Sequence, residues 1–467
     1  MKNKVLLKSE TMNMQQNKFG NWIKNSITAR MLMIGILIIV LLIPLSFIVS
    51  LIRERASRQE SVVNEINEKW GNEVLLYGPI LKVPYKTYTE KLVTNSETKK
   101  VTTETISHIN FAYFFPKKLA IKSEINPEVK KRGIYKTSVY KSAISLTGNF
   151  TKPNFSSIEV ENKDVMWDKA TVIIKTSNLK GINNQVEISI NSNSYAFVPK
   201  YEELTKNNFI TNDIPLHKLE TSYLKKEELN LGIHPFSIKL TVSGSEQFKI
   251  IPIGKETNLN ITSNWKTANF IGEFLPLNSN KITASGFDAE WNVLHINRPF
   301  SQEYFKNLPN LNKYAFGVNF KIPVDEYQKS ERSAKYGFLV IALTFLIFFL
   351  IQSISKINIH PFQYLMIGLS LTMFYTLLIS ISEHSNFLKA YLIAGISVIV
   401  LITLYSKSIL KTLKFPLFIG LSLTALYTFI FVIIQLENYA LLVGSIGLFL
   451  ILAIVMFVSR KIDWNNG

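Results

Sequence analysis

The chain has 467 residues, no cysteine, and 52 Lys and Arg against 34 Asp and Glu, for a formal net charge of +18. The lack of cysteine excludes disulfides, thiol catalysis, thiolate metal sites and a lipidated cysteine anchor. The basic excess does not point to nucleic acid: half of it lies in short segments beside apolar runs, and residues 52–336 carry 39 basic and 30 acidic side chains interspersed along their length, a solvated surface rather than a phosphate-tracking groove.

Residues 1–30 are polar and basic and predict a cytoplasmic tail. The apolar run Met31–Leu51 follows. About 20 apolar residues in a helix cross a hydrocarbon core of about 30 Å, so 31–51 predicts a transmembrane anchor. The run exceeds the apolar stretch of a signal peptide, and the LIRERASR that follows offers no A-x-A cleavage site. Pro44 is tolerated in a spanning helix. Beyond the run, Val62, Ile66 and Trp70 recur at helical spacing among charges, with Gly71 as a stop. This predicts a helix that leaves the bilayer and continues into the next domain.

From Gly78 the period changes to two. Phe236, Ile238, Leu240 and Val242 alternate with polar residues, as do Val186, Ile188 and Ile190. TVIIK (171–175) and FAYFF (111–115) are continuous, as a strand buried on both faces would be. Glycine and asparagine turn signals separate these runs, so 52–336 predicts a β-rich domain of many short antiparallel strands. Its length suits two subdomains. Residues 205–230 break the β rhythm and mark the expected boundary.

Five further apolar runs close the chain: Gly337–Gln352, Phe362–Ile381, Leu388–Tyr405, Pro416–Gln435 and Tyr439–Val458. They predict a five-helix membrane bundle over 337–458 with a cytoplasmic tail at 459–467. The short connections make neighbours antiparallel. With a cytoplasmic N-terminus, twelve of the 13 Lys and Arg outside residues 52–336 fall on the cytoplasmic side, and only Lys389 falls outside. That is the positive-inside bias. The fold class predicted is an α-helical membrane protein of six transmembrane helices with a large β-rich extracytoplasmic domain between helices 1 and 2.

No nucleotide-binding loop, HExxH or nucleophile elbow occurs, and no two of the six histidines stand at metal-ligand spacing. No cofactor, metal or catalytic residue is therefore predicted. The most polar cluster in the membrane region is Ser382-Glu383-His384-Ser385-Asn386, at the outer end of the third run. Glu383 and His384 could pair, bind an ion or carry protons if they face water. The same residues also suit a hydrated turn. Tyr375 lies about two turns below, and His360-Pro361 opens the same run as an ordinary helix start. Asp288 and Glu290 share one face of a strand, a spacing that acid–base pairs and plain surface carboxylates both show.

Several long segments also carry a family likeness. They are LIRERASRQESVVNEINEKWG (51–71), GPILKVPY (78–85), RGIYKTSVYKS (132–142), the stretch 243–276, WNVLHINRPF (291–300), HPFQYLMIGLSLTMFYTLLISISEH (360–384) and AYLIAG (390–395). The chain resembles the CreD family of bacterial inner-membrane proteins, also described as colicin-tolerance or cell-envelope-integrity proteins. The resemblance runs nearly end to end and implies envelope maintenance, in some bacteria under a two-component sensor system. It implies no enzymatic activity and gives no catalytic residues to carry across. The expectation is a non-enzymatic inner-membrane protein whose periplasmic β domain binds an envelope protein, lipid or cell-wall component, the bilayer being its other partner. One alternative is a transporter or lipid-handling protein using the terminal bundle. Another is a membrane enzyme using Glu383, or Asp288 and Glu290.

Overall fold

The apolar runs are helices in the computed structural model, which describes residues 27–94, 101–158, 160–201, 214–229, 232–322, 326–355, 357–410, 412–436 and 439–460. Most of the two tails expected at 1–30 and 459–467 lies outside these. Among the described residues, six helices are long and apolar enough to cross a membrane: α1 (Ile27–Lys69), α3 (Gly337–Ser355), α4 (Pro361–Ser382), α5 (Phe387–Leu410), α6 (Lys414–Gln435) and α7 (Ala440–Ser459). A short amphipathic helix, α2 (Glu326–Lys335), precedes α3. The expected continuation of the first span is present: α1 runs unbroken for 43 residues, about 64 Å at 1.5 Å per residue. The chain divides into one unit of Met1–Glu60 with Pro323–Gly467 and a second of Ser61–Ile322.

In the first unit, helices pack where small residues let them approach. A Cβ on Gly368 would lie 2.1 Å from Leu41 Cδ1, so the glycine leaves room for the Leu41 side chain of α1 to seat against α4. Buried aromatic rings fill the bundle, with Phe374 on α4 lying 5.2 Å from Tyr391 on α5 and 4.6 Å from Tyr427 on α6. One buried polar pair crosses from α4 to α3: the Tyr364 hydroxyl donates to Gln352 Oε1 at 2.8 Å. The N-terminus of α4 is capped as its sequence suggests, with Gln363 accepting from the His360 amide at 2.9 Å and His360 Nδ1 accepting from the Phe362 amide at 3.2 Å.

Among the described residues, the second unit is a 16-stranded sheet. Its strands are β1 (Val74–Thr94), β2 (Val101–Phe114), β3 (Lys118–Arg132), β4 (Tyr135–Thr151), β5 (Thr171–Thr176), β6 (Glu187–Ile190), β7 (Asn193–Lys200), β8 (His217–Thr221), β9 (Ile233–Ser245), β10 (Gln247–Ile250), β11 (Glu256–Ser263), β12 (Asn269–Gly272), β13 (Ile282–Thr283), β14 (Gly286–Leu294), β15 (Glu303–Phe305) and β16 (Phe316–Asn319). The main order is β12-β16-β10-β1-β5-β8-β7-β6-β9-β4-β3-β11-β14-β13, with β2 paired to β1 and β15 to β2. β9 alternates in burial along most of its length, as its period of two requires. β5 is almost wholly buried, because β1 and β8 flank it and apolar side chains cover both faces. The expected boundary at 205–230 falls partly outside the described residues. Its described part supplies β8 and a helical turn at Lys226–Leu229.

The two ends of this strand order meet through aromatic packing. Phe270 on β12 lies 5.7 Å from both Phe287 and Trp291 on β14, edge to face. The Trp291 indole donates to Phe274 O at 3.0 Å, and the Leu277 amide donates to Glu290 O at 2.7 Å. One apolar core therefore lies inside a rolled sheet.

Two polar details secure the unit. At the end of α1, Gly71 takes φ +87°, and a Cβ there would lie 2.0 Å from Asn178 Oδ1. Asn178 in turn accepts from the Gly181 amide at 2.6 Å and donates to Ser243 O at 2.8 Å. In the sheet, buried Glu220 accepts from Lys82 Nζ at 2.9 Å and Thr171 Oγ1 at 2.8 Å. Burial pushes the Glu220 carboxyl up. The hydrogen bonds from Lys82 and Thr171 and the charges of Lys82 and Lys218 outweigh this and hold it below the usual carboxylate range.

Gly71→Ala is expected to destabilise the β unit by about 1–3 kcal/mol through the positive φ and the contact with Asn178, read as a lower melting temperature in detergent. Because Glu220 has a lowered folded pKa, its contribution is complete above the unfolded value of about 4.3 and is lost as pH falls through the folded value. Glu220→Gln should remove that part of the acid sensitivity. At pH 7 it should cost about 2 kcal/mol, the price of leaving the half-buried Lys82 without its anion. Melting of both proteins between pH 3 and 7 measures the two effects together.

Candidate functional site

Charged side chains avoid the interior of spanning helices, so the places where they gather at helix ends are informative. Glu383 directly follows α4, its amide donating to Ile379 O at 3.2 Å. Its side chain is only 15% exposed and lies 3.7 Å from Arg55 Nε on α1. The hydroxyl of Tyr327, on the buried face of α2, donates to the same carboxylate at 3.4 Å. Two residues before Arg55, Arg53 donates from Nε and Nη2 to Glu331 Oε1 at 3.0 and 2.9 Å. Lys335 Nζ stands 3.3 Å from that oxygen. The hydrogen bonds from Arg53 chiefly hold the Glu331 carboxyl below its ordinary range, and Lys335 adds to them against a smaller effect of burial. Two carboxylates and two arginines thus tie α1, α2 and α4 together at one level.

His384, expected beside Glu383, is exposed and takes no part in this network. Ser385 Oγ donates back to Ile381 O at 3.0 Å, and Asn386 Oδ1 accepts from the Lys389 amide at 3.0 Å, capping the start of α5. Within the polar run, Glu383 is the residue that reaches other elements.

Near Glu383 and deeper in the bundle there are buried hydroxyls. Tyr375 on α4, Tyr427 on α6, and Ser330 and Ser333 on α2 are buried, and their side-chain oxygens make no hydrogen bond among the described residues. The Tyr391 hydroxyl donates to Tyr427 O at 2.7 Å. A buried hydroxyl without a partner costs about 1–3 kcal/mol. Tyr375, on the same helix that ends at Glu383, and Tyr427 beside it are suited to a small polar ligand or a proton.

In the second unit, Asp288 and Glu290 lie on one face of β14. The amide of Asn260 on β11 donates to Asp288 Oδ1 at 2.8 Å and reaches Glu290 Oε1 at 3.5 Å. Strand register places Glu290, Asn260, Lys122, Ser145, Lys239 and Glu187 in one row across six strands. Asp288, Thr262, Glu124, Ala143 and Thr241 form the next row on the same face. A shallow concavity of about 440 Å³ lies over the middle of these rows. Its charged lining residues are Lys122, Lys239 and Glu124, set among the hydroxyls and amides of Ser145, Thr241, Thr262, Asn184 and Asn260. Among the described residues, no three His, Asp or Glu side chains converge as a metal-binding set.

Sequence reading missed Arg53, Arg55, Tyr327 and Glu331 as members of the Glu383 network. A signal was present: Arg53, Arg55 and Arg58 follow the first apolar run, and the acidic residues of EYQKSERSAK stand just before the second. Opposite charges just outside two spans are candidates to pair.

The family described as inner membrane protein CreD matches residues 26–465. The chain is 30% identical over 434 residues to the inner membrane protein CreD of Escherichia coli (strain K12), covering 91% of each protein. The chain therefore belongs to the CreD family, as its motifs suggested, and is a multi-pass protein of the inner membrane.

Reversing Arg53 to Glu should lower the melting temperature in detergent, and Glu331→Arg in the same chain should restore part of it. Exposed pairs are worth about 0.2–1 kcal/mol, so the loss should be small and should shrink in high salt. Because the chain lacks cysteine, Arg55→Cys with Glu383→Cys gives a background-free test of proximity. A short bifunctional thiol reagent should join the two within one chain.

Proposed function

We propose that this CreD-family protein is a non-enzymatic support of the cell envelope, whose β unit lies on the periplasmic side and binds an envelope component. The observation that carries this reading is the two-row polar face of the sheet. It is solvent-facing, carries both signs of charge with Lys122 and Lys239 near its middle and carboxylates toward its ends, and belongs to a unit inserted between the first and second spans. The positive-inside distribution of Lys and Arg supports the orientation, with both termini cytoplasmic. Hydrogen-bonding side chains at strand spacing favour an extended polar polymer or peptide over a small apolar ligand. The six-helix part anchors the unit, and domain bounds of 31–51, 52–336 and 337–458 follow from the same reading.

A second reading uses the bundle itself. Glu383 with the buried hydroxyls of Tyr375 and Tyr427 below it supports passage or sensing of a small polar solute or proton. Transporter sites commonly use broken helices near mid-membrane, whereas α4 is continuous from Pro361 to Ser382.

Dye uptake and detergent sensitivity are to be compared in a deletion strain, a complemented strain, and strains making Lys122→Glu with Lys239→Glu, Glu383→Gln, or a chain lacking 337–467. The β-face reading expects a leaky deletion strain that the charge-reversed face fails to rescue and Glu383→Gln rescues fully. The opposite result moves the function to the bundle, and an intact barrier in the deletion strain overturns the envelope role. For orientation, Leu92→Cys should react with a membrane-impermeant maleimide in cells with an opened outer membrane, and Thr412→Cys only after lysis.

A further inference from the structure

Of the apolar helices, α7 packs least: none of its residues is buried. Together with α3 and α6 it bounds a cleft of about 720 Å³. Leu346 and Ile354 from α3, Phe418 from α6, and Leu450 and Ile454 from α7 typify its walls. Lys414, the first residue of α6, is the one charged group among its described lining residues. It stands at the end where α3 and α7 finish, and Arg460 follows two residues after the cleft-lining Val458.

The dimensions of the cleft are informative. Its walls run from Leu343 to Ile354 and from Gly447 to Val458, about 17 Å along each helix at 1.5 Å per residue. One leaflet of hydrocarbon is about 15 Å deep, half of a 30 Å core. The cleft is therefore one leaflet deep, apolar along its length and basic at one end. Water does not fill an apolar cavity of this kind, and within a bilayer the apolar matter at hand is the acyl chain.

We propose that this cleft is a binding site for an anionic glycerophospholipid, with an acyl chain lying between α3 and α7 and the headgroup phosphate against Lys414. The bound chain completes the packing of α7, which the protein leaves open. The cationic end sets a preference for anionic over zwitterionic headgroups. This site lies wholly within the helical unit and is independent of the polar face of the β unit.

The test uses the full chain in vesicles of phosphatidylethanolamine and phosphatidylglycerol, with a photoreactive group on one acyl chain of either lipid. Labelled peptides are then mapped by mass spectrometry. The expected result is labelling by phosphatidylglycerol concentrated in 343–354 and 447–458. Lys414→Gln should reduce it about fivefold, the worth of one basic side chain beside an anionic lipid, and leave labelling by phosphatidylethanolamine unchanged. Leu450→Trp, which fills the cleft, should reduce both. Lys414 is exposed, so its substitution leaves folding intact and decides the matter even where the tryptophan variant fails to fold. Even labelling over all spans with both lipids, insensitive to Lys414→Gln, would mean ordinary boundary lipid and overturn the site. Cleft peptides shielded from both lipids and cross-linked to a second copy would overturn it in favour of a protein partner.

Discussion

Within hydrocarbon a backbone amide has no partner except another part of the chain, and the rest of this structure depends on that constraint. It makes each span a helix and strips charge from the helix sides. It also confines strong polar attachment to the ends. Arg53, Arg55, Glu331 and Glu383 meet at one such end, and Lys414 and Arg460 are basic side chains at helix ends elsewhere in the bundle. Between the ends there is little hydrophobic gain in bringing helices together, since lipid is as apolar as leucine. Contact relies on close approach, as where Leu41 sits against Gly368, and on isolated polar pairs such as Tyr364 with Gln352.

The β unit answers to a different constraint. Outside lipid, a sheet must dispose of its edges. Here the two ends of the strand order are brought together by Phe270, Phe287 and Trp291 and by main-chain bonds to the segment after β12. The closure places apolar alternates inside and leaves the other alternates as rows of polar side chains in water. The candidate binding face is thus the outer half of the pattern whose inner half makes the core. The distal part of the β1–β2 ribbon is exposed, with Leu92, Val101 and Ile109 in water. Buried charge is rare in the unit, and Glu220 is kept ionised by contacts that exceed its desolvation.

The six spans, the continuation of the first into a long helix, the His-Pro start of α4 and the β character of the middle were legible in the residues alone. Each of these depends on residues within a few positions of one another: a 20-residue apolar run, a period of 3.6 or 2, or a His-Pro start. Glu383 was also legible as the polar residue at a span's edge. What it touches depends on how the helices pack. Arg53 and Glu331 are 278 residues apart in the chain, and the distance between them is set by how α1 and α2 pack. The same holds for Asn260 between Asp288 and Glu290, for the parting of His384 from Glu383, and for the cleft beside α7. Such features are distances between surfaces. A local pattern specifies which face is apolar, but the partner of that face follows from the packing of the whole chain.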